Sequence, residues 1–232
     1  MIITIDGPAG AGKSTIAKQL AATLGYDYLD TGSMYRAVAL FGLRRGTDWE
    51  KPDELAGMAR SVSIDIREGK TLLDGDDVSD AVRSSEVTQL TRFAANNPAI
   101  REIMVAQQRR IAAAMDVAGR GVVTEGRDQG TVVFPESPCK IFLTATPGER
   151  ARRRIEEMRR RGETGDFDDV LQKINDRDAA DSAREIGPLR RPDDAELVMT
   201  DGLSIAEVLE CLQSVVSRKI REKTAKKNVG AI

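Results

Sequence analysis

The chain has 232 residues, 41% hydrophobic and 31% charged, enough apolar material for one packed α/β core and too polar for a membrane protein. Its 35 Lys+Arg against 37 Asp+Glu leave a net charge of −2, which offers no overall attraction to a nucleic acid, and the absence of histidine excludes serine-hydrolase triads and His-ligated zinc. Cys139 and Cys211 have no paired spacing, as expected of a reduced chain; MIITIDGPAG lacks the basic start of a signal peptide, so a cytoplasmic protein without membrane or nucleic-acid partners is expected. In chain order, Ile2–Ile5 reads as a buried strand emptying at Asp6-Gly7-Pro8 into a loop. The spacing of Ile16, Leu20 and Leu24 predicts a helix capped by Gly25. Tyr26–Leu29 is a second strand, followed by a helix capped by Thr31 or Ser33 and running to about Arg45. Alternation at Val62–Ile66, a turn at Glu68-Gly69 and Thr71–Leu73 predict a small antiparallel hairpin. Pro98 suits a helix first turn, and Ile100, Ile103, Met104, Gln107, Ile111, Ala114, Met115 and Ala118 form a stripe ending near Gly119. Gly121–Thr124, Lys140–Leu143 and Glu196–Met199 supply three more strands, which alternate with helices and so imply a parallel sheet. Thr146…Glu149 and Ser204…Glu207 have the spacing of capping boxes, and the segment from Lys223 to Ile232 is expected to fray.

Gly7-Pro8-Ala9-Gly10-Ala11-Gly12-Lys13-Ser14 matches G-x-x-x-x-G-K-[ST] between a predicted strand and a predicted helix. Glycines let successive backbone N–H groups curl around phosphates while the helix start adds partial positive charge. Lys13 would reach the β- and γ-phosphates of ATP and the Ser14 hydroxyl would ligate Mg²⁺, with Thr15 next in the same ATP-binding run. A plain glycine-rich turn explains the glycines but not Lys13 and Ser14 together. No Asn-Lys-x-Asp element follows a strand, since Asn175–Asp178 falls in a predicted helix, so a GTP switch is not expected.

Asp30–Arg36 follows the second strand and Glu125–Asp128 the third, while Arg177, Asp181 and Arg184 share one face of a late helix at i, i+4, i+7. A parallel sheet directs these segments toward its carboxyl edge, where ligands bind. Arg36, Arg127 and Arg184 therefore read as a cradle for a second, phosphorylated substrate, each alternatively a surface ion pair. Glu149–Arg161 holds seven arginines and three glutamates, and Gly162 and Gly165 follow as joints. Part of this is a solvated helix face; residues about 150–168 also fit a helical lid over the triphosphate.

These pieces, with Gly126-Arg127-Asp128-Gln129-Gly130-Thr131-Val132-Val133-Phe134-Pro135 and Arg150–Arg154, give a chain that over about residues 2–190 resembles bacterial cytidylate kinase, the (d)CMP kinase branch of the nucleoside monophosphate kinases. The resemblance implies a P-loop kinase core with a five-stranded parallel sheet flanked by helices. It also implies a monophosphate-binding region at about 31–118 with a hairpin insert near 60–80, all within a single domain of residues 1–232. It implies that Arg36, Arg127 and Arg184 meet the acceptor phosphate near Thr31 and Tyr35. Thr91, Arg101 and Asp128 would face cytosine, Arg177 and Asp181 the ribose, Arg153 the ATP, and Arg154 the transferring phosphoryl group. Glu125 stands where the family has Asp and Gln129 where an apolar residue is expected; Glu125 remains able to orient a magnesium-bound water, and Asp6 is a further candidate there. The resemblance also implies a monomer. A carboxylate at Asp128 would accept from the cytosine amine and repel the acceptor oxygen of uracil; the plain alternative is an ion pair orienting Arg127. The expected reaction is phosphoryl transfer from Mg·ATP to CMP or dCMP, which needs positioning and charge neutralisation, with no enzyme nucleophile. Kinases for UMP, dTMP or a small metabolite, and an ATP-driven switch, remain open.

Overall fold

The computed structural model describes residues 1–116 and 119–229. Five strands form a parallel sheet: β1 (Ile2–Asp6), β2 (Asp27–Asp30), β6 (Val122–Gly126), β7 (Cys139–Thr144) and β8 (Glu196–Met199), in the order β2-β6-β1-β7-β8. The chain leaves β1 in one direction and later returns to add β7 and β8 on the other side. The carboxyl ends of β1 and β6 therefore flank the switch point at which open α/β sheets bind ligands. Ile3, Ile5, Val123, Ile141 and Leu143 are buried in these strands, with apolar residues in runs rather than alternating, as a sheet covered on both faces requires.

The chain divides into two compact units, residues 1–26 with 123–232, and residues 27–122. In the first, α1 (Lys13–Leu24) packs against α8 (Ile205–Val229), and Gly25 ends α1 in the left-handed conformation. Helices α6 (Pro147–Arg160) and α7 (Phe167–Ser182) share a small core of Ala151, Ile155, Val170 and Ile174, closed by Met158 and Leu171. Burying Ile155, Val170 and Ile174 contributes roughly 1.5–3 kcal/mol each and favours the pairing of the two helices. The Ser204 and Glu207 capping box closes both ways, whereas that of Thr146 closes one way: its hydroxyl accepts from the Glu149 N–H, but its own N–H donates to Asp201 while the Glu149 carboxylate turns to Arg152 and Arg153. Helix α8 continues through Val229 where fraying was expected; residues 230–232 lie outside the described residues.

The second unit begins with β2 and α2 (Thr31–Arg44). Its cap is Asp30, which accepts from the Ser33 N–H at 2.8 Å, not Thr31 or Ser33 as expected. A carboxylate one residue earlier outcompetes the hydroxyls, and Ser33 turns its own hydroxyl to the Asp30 carbonyl. Two helices had no counterpart in the sequence reading, α3 (Pro52–Arg60) and α4 (Ser85–Asn96); α4 packs on α2. The expected hairpin is a three-stranded antiparallel sheet, β3 (Ile64–Arg67), β4 (Lys70–Leu73) and β5 (Asp76–Asp77). Helix α5 (Pro98–Asp116) buries Ile100, Met104, Ile111 and Ala112; Ala114, expected on the stripe, is exposed, and Ala118 lies outside the described residues. Among the described residues no helix is long and apolar enough to cross a membrane.

Candidate functional site

The loop from Gly7 to Gly12 is dictated by close approach and handedness. A Cβ on Gly7 would lie 1.9 Å from the Leu143 carbonyl oxygen, so no other residue lets β1 leave the sheet along β7. Gly10 and Gly12 take positive φ, and α1 begins without a side-chain cap or an acidic first turn, so its start keeps the partial positive charge that suits an anion. Pro8 and Ala11 are buried beneath the loop, Ala9 is half-buried, and Gly10, Gly12, Ser14 and Thr15 face solvent. Lys13 is buried and donates to the Pro8 carbonyl at 2.7 Å. Burial, helped by the Arg127 guanidinium, lowers the Lys13 ammonium to about 7, against the pull of Glu125 and Asp6. Ser14 donates its hydroxyl hydrogen to Glu125, at the end of β6, at 2.8 Å. This hydroxyl and carboxylate are hard oxygen donors that suit Mg²⁺. Among the described residues no cluster of three His, Cys, Asp or Glu could hold a metal alone, so an ion here depends on substrate phosphates for further ligands.

The segment after β6 is fixed from below by Asp6. Its two carboxylate oxygens accept the Gln129 and Gly130 N–H groups at 2.8 and 2.7 Å. Desolvation outweighs both bonds and raises the Asp6 carboxyl to about 7. Gly130 has no spare volume, since a Cβ would lie 3.0 Å from Thr4 Oγ1 and 3.1 Å from Pro192 Cγ. The chain then makes one wide turn in which the Asp128 carbonyl accepts from both Val132 and Val133, and Asp128 itself is buried. Gln129, the polar residue where an apolar one was expected, is satisfied inside the loop: Thr124 donates to its Oε1 at 2.8 Å.

Arg127 reaches from this loop to α7 and donates through Nε to Asp181 at 2.8 Å, while Arg184 pairs with the other Asp181 oxygen. One buried carboxylate thus holds two guanidinium groups side by side. Burial alone would raise the Asp181 carboxyl, but Arg127 and Arg184, with Arg177 one turn back on α7, hold it below the ordinary value. Arg184 lies beyond the last residue of α7, so its meeting with Asp181 comes from the turn after the helix and not from a shared helical face.

Within residues 27–122 the predicted residues gather in two places. Arg36 donates to Asp30 at 3.3 Å, and it lies so close over the start of α2 that a Cβ on Gly32 would be 3.3 Å from its Nη1. Thr31 is buried at the same helix start. Arg101, from α5, is buried with its guanidinium 5.5 Å from the Tyr35 ring centre and donates to the Ala95 carbonyl. Thr91 bonds back to the Val87 carbonyl of its own helix at 2.7 Å.

The arginine-rich helix α6 separates into different roles. Arg153 donates to Thr200 and Glu149, Arg154 is paired with Glu157 on the exposed side, and Arg152 pairs with Glu149. Arg150, which the sequence did not single out, is buried: Nη1 donates to the Ala9 carbonyl of the phosphate loop at 3.1 Å and pairs with Asp178 at 2.7 Å, and Nε donates to the Ala145 carbonyl at 3.0 Å. Among six arginines in one helix, composition carries no signal for which one faces inward.

The family model described as cytidylate kinase matches residues 3–218. The chain is 45% identical to a protein named cytidylate kinase from Rhodopirellula baltica, over 97% of this chain and 96% of that one. It is 47% identical to one from Salinibacter ruber, over 90% and 94%, and 42% identical to one from Caldanaerobacter subterraneus, over 94% and 96%.

Proposed function

Because this chain belongs to the cytidylate kinase family, we propose that it transfers the γ-phosphoryl group of ATP to CMP or dCMP, giving ADP and CDP or dCDP. The observation that carries this reading is the pairing of two cationic features in one unit. The phosphate loop with Lys13 is one; the other is the Arg127–Asp181–Arg184 set, which a nucleotide hydrolase or switch does not need. Gly7–Thr15 wraps the ATP phosphates, with backbone N–H groups and Lys13 neutralising the β- and γ-oxygens. Arg153, anchored at Thr200, contributes to the ATP side. Ser14 and Glu125 would hold Mg²⁺, which when bound neutralises charge on the bridging phosphates. Asp6 is better employed in fixing the Gln129–Gly130 backbone than as a metal partner, since both its oxygens are already engaged.

Arg127 and Arg184 orient the acceptor phosphate, and Asp181 holds both against their mutual repulsion while it and Arg177 serve the ribose. Thr31, Tyr35, Arg36, Thr91 and Arg101 belong to the acceptor-binding region, about residues 31–118, and Asp128 reads the cytosine amine. Arg154, on the exposed side of α6, supplies charge to the transferring group when the lid, about residues 150–168, closes. The attacking phosphate oxygen needs no enzyme base, which accords with a chain without histidine. The protein works as a cytoplasmic monomer.

The test is ADP release from Mg·ATP with CMP, dCMP, UMP, dTMP, AMP, GMP or no acceptor. Turnover confined mainly to CMP and dCMP is expected. Preference for another base would discard the role of Asp128, and turnover without any acceptor would replace the kinase by a switch. Lys13→Ala should lower turnover by orders of magnitude with the fold intact, and Asp128→Ala should narrow the preference for CMP over UMP.

A further inference from the structure

Arg150 is a charged side chain buried to 97%. Its guanidinium joins three separate pieces of chain: the Ala9 carbonyl inside the phosphate loop, the Ala145 carbonyl where β7 enters α6, and the Asp178 carboxylate on α7. Its stem also floors the loop, since a Cβ on Gly10 would stand 3.4 Å from the Arg150 Cβ. Asp178 commits one oxygen to this pair, while its other oxygen is buried without a hydrogen-bond partner. A carboxylate so placed is held by Arg150 and by little else. Asp178 lies one residue after Arg177 and three before Asp181, on the helix that carries the Arg127–Asp181 contact.

We propose that Arg150 is a positioning residue that couples the phosphate loop to α7, so that filling the loop with a nucleotide triphosphate stiffens the helix that presents Arg177 and Asp181. The proposal rests on the reading of Gly7–Thr15 as the ATP site, and it is independent of which acceptor is used. Tightening of the loop around phosphates fixes the Ala9 carbonyl; Arg150, bonded to it, is fixed in turn, and its ion pair with Asp178 transmits the constraint to α7. By reciprocity, ordering of α7 by an acceptor improves the loop for ATP. A guanidinium is suited to this because its rigid fork makes all three bonds at once, which a lysine ammonium on a flexible stem does not.

The experiment is amide hydrogen exchange on the full chain, with and without a non-hydrolysable ATP analogue and Mg²⁺, and with no acceptor present. In the wild type the analogue should slow exchange in α1 and also in residues 167–182, the latter by about fivefold or more, the lower end of usual coupling strengths. In Asp178→Asn, protection of α1 should persist while that of 167–182 falls below about twofold. A purely structural role for the pair would change the exchange of α7 equally with and without analogue. If Asp178→Asn does not fold, Arg150→Lys, which keeps the charge but not the three-way bond, should give the same uncoupling. Equal α7 protection in wild type and variant, or α1 protection without α7 protection in the wild type, overturns the coupling alone. Failure of the analogue to bind overturns the ATP-site reading with it, and a wrong acceptor in the turnover panel leaves it standing.

Discussion

The buried carboxylate of Asp6 makes an unusual demand on stability that Asp6→Asn isolates. In the folded chain its carboxyl is raised from 3.8 to about 7, because burial costs the charge more than the Gln129 and Gly130 N–H groups return. A raised carboxyl binds its proton more tightly folded than unfolded. Its contribution to stability is therefore fully present below pH 3.8 and is lost as pH rises through about 7. Between about pH 5 and pH 7 the wild type should lose roughly 2 kcal/mol that Asp6→Asn, which does not titrate, does not lose. Against this runs a pH-independent cost of about 1–3 kcal/mol in the variant, whose amide accepts from one of the two backbone N–H groups and confronts the other with a second donor. The variant should thus be clearly weaker at pH 5 and approach or equal the wild type at pH 7. Urea unfolding followed by far-ultraviolet circular dichroism at a series of pH values measures the difference directly. A gap that widens with pH would mean that the two N–H bonds outweigh burial and hold Asp6 ionised throughout, which would refute the reasoning.

Other consequences follow from the same geometry. Lys13, lowered to about 7, should regain its full charge against a triphosphate, so ATP-analogue binding at about pH 8 should take up roughly 0.9 proton, seen by calorimetry in buffers of different ionisation enthalpy and absent in Lys13→Met. Gly130→Ala places a methyl 3.0 Å from Thr4 Oγ1 and 3.1 Å from Pro192 Cγ; a loss of about 1–3 kcal/mol in thermal unfolding is expected, with a rise in KM for the acceptor as Asp128 and Arg127 shift. Asp181→Asn leaves Arg127 and Arg184 facing each other with a neutral amide, and KM for CMP should rise about 10-fold or more while ATP binding changes little. Because Asp181 is held below its ordinary value, its stabilisation is present above 3.8 and is lost as pH falls below that, so the acid limb of the stability profile should flatten in the same variant.

What could be read from the residues and what could not divides along a physical line. The phosphate loop and the five strands of the sheet were legible because local chemistry specifies them: positive φ at Gly10 and Gly12, a left-handed cap at Gly25, and short apolar runs. The start of α2 was placed one to three residues late and its cap was misassigned, because Asp30, Thr31 and Ser33 are all competent caps and only the backbone conformation of Asp30 decides between them. Helices α3 and α4 escaped notice because they flank the small three-stranded sheet in the sequence, and its alternation dominates that stretch. The partners of Arg127, Arg150 and Asp6 were illegible for a deeper reason. Each lies 54 residues or more from a partner it bonds, and no local pattern announces such pairs.

The distribution of charge around the phosphate loop follows a consistent physical logic. Burial first, and then the Arg127 and Arg177 guanidiniums, lower the Lys13 ammonium, and a chain with a net charge of −2 meets that cost locally rather than through its overall balance. Asp6, Glu125 and Asp181 are each engaged with a backbone amide pair, a hydroxyl or two guanidiniums, so none stands ready as a general base. Carboxylates used in this way hold cations and backbone donors in place, which on the proposed reading meets the requirement of a reaction whose transition state is mostly displaced charge. It also accommodates Glu125 at a place where a shorter acid was expected. A group that has to reach Ser14 and orient it, and not transfer a proton, is judged by reach, and the 2.8 Å bond between them meets that requirement.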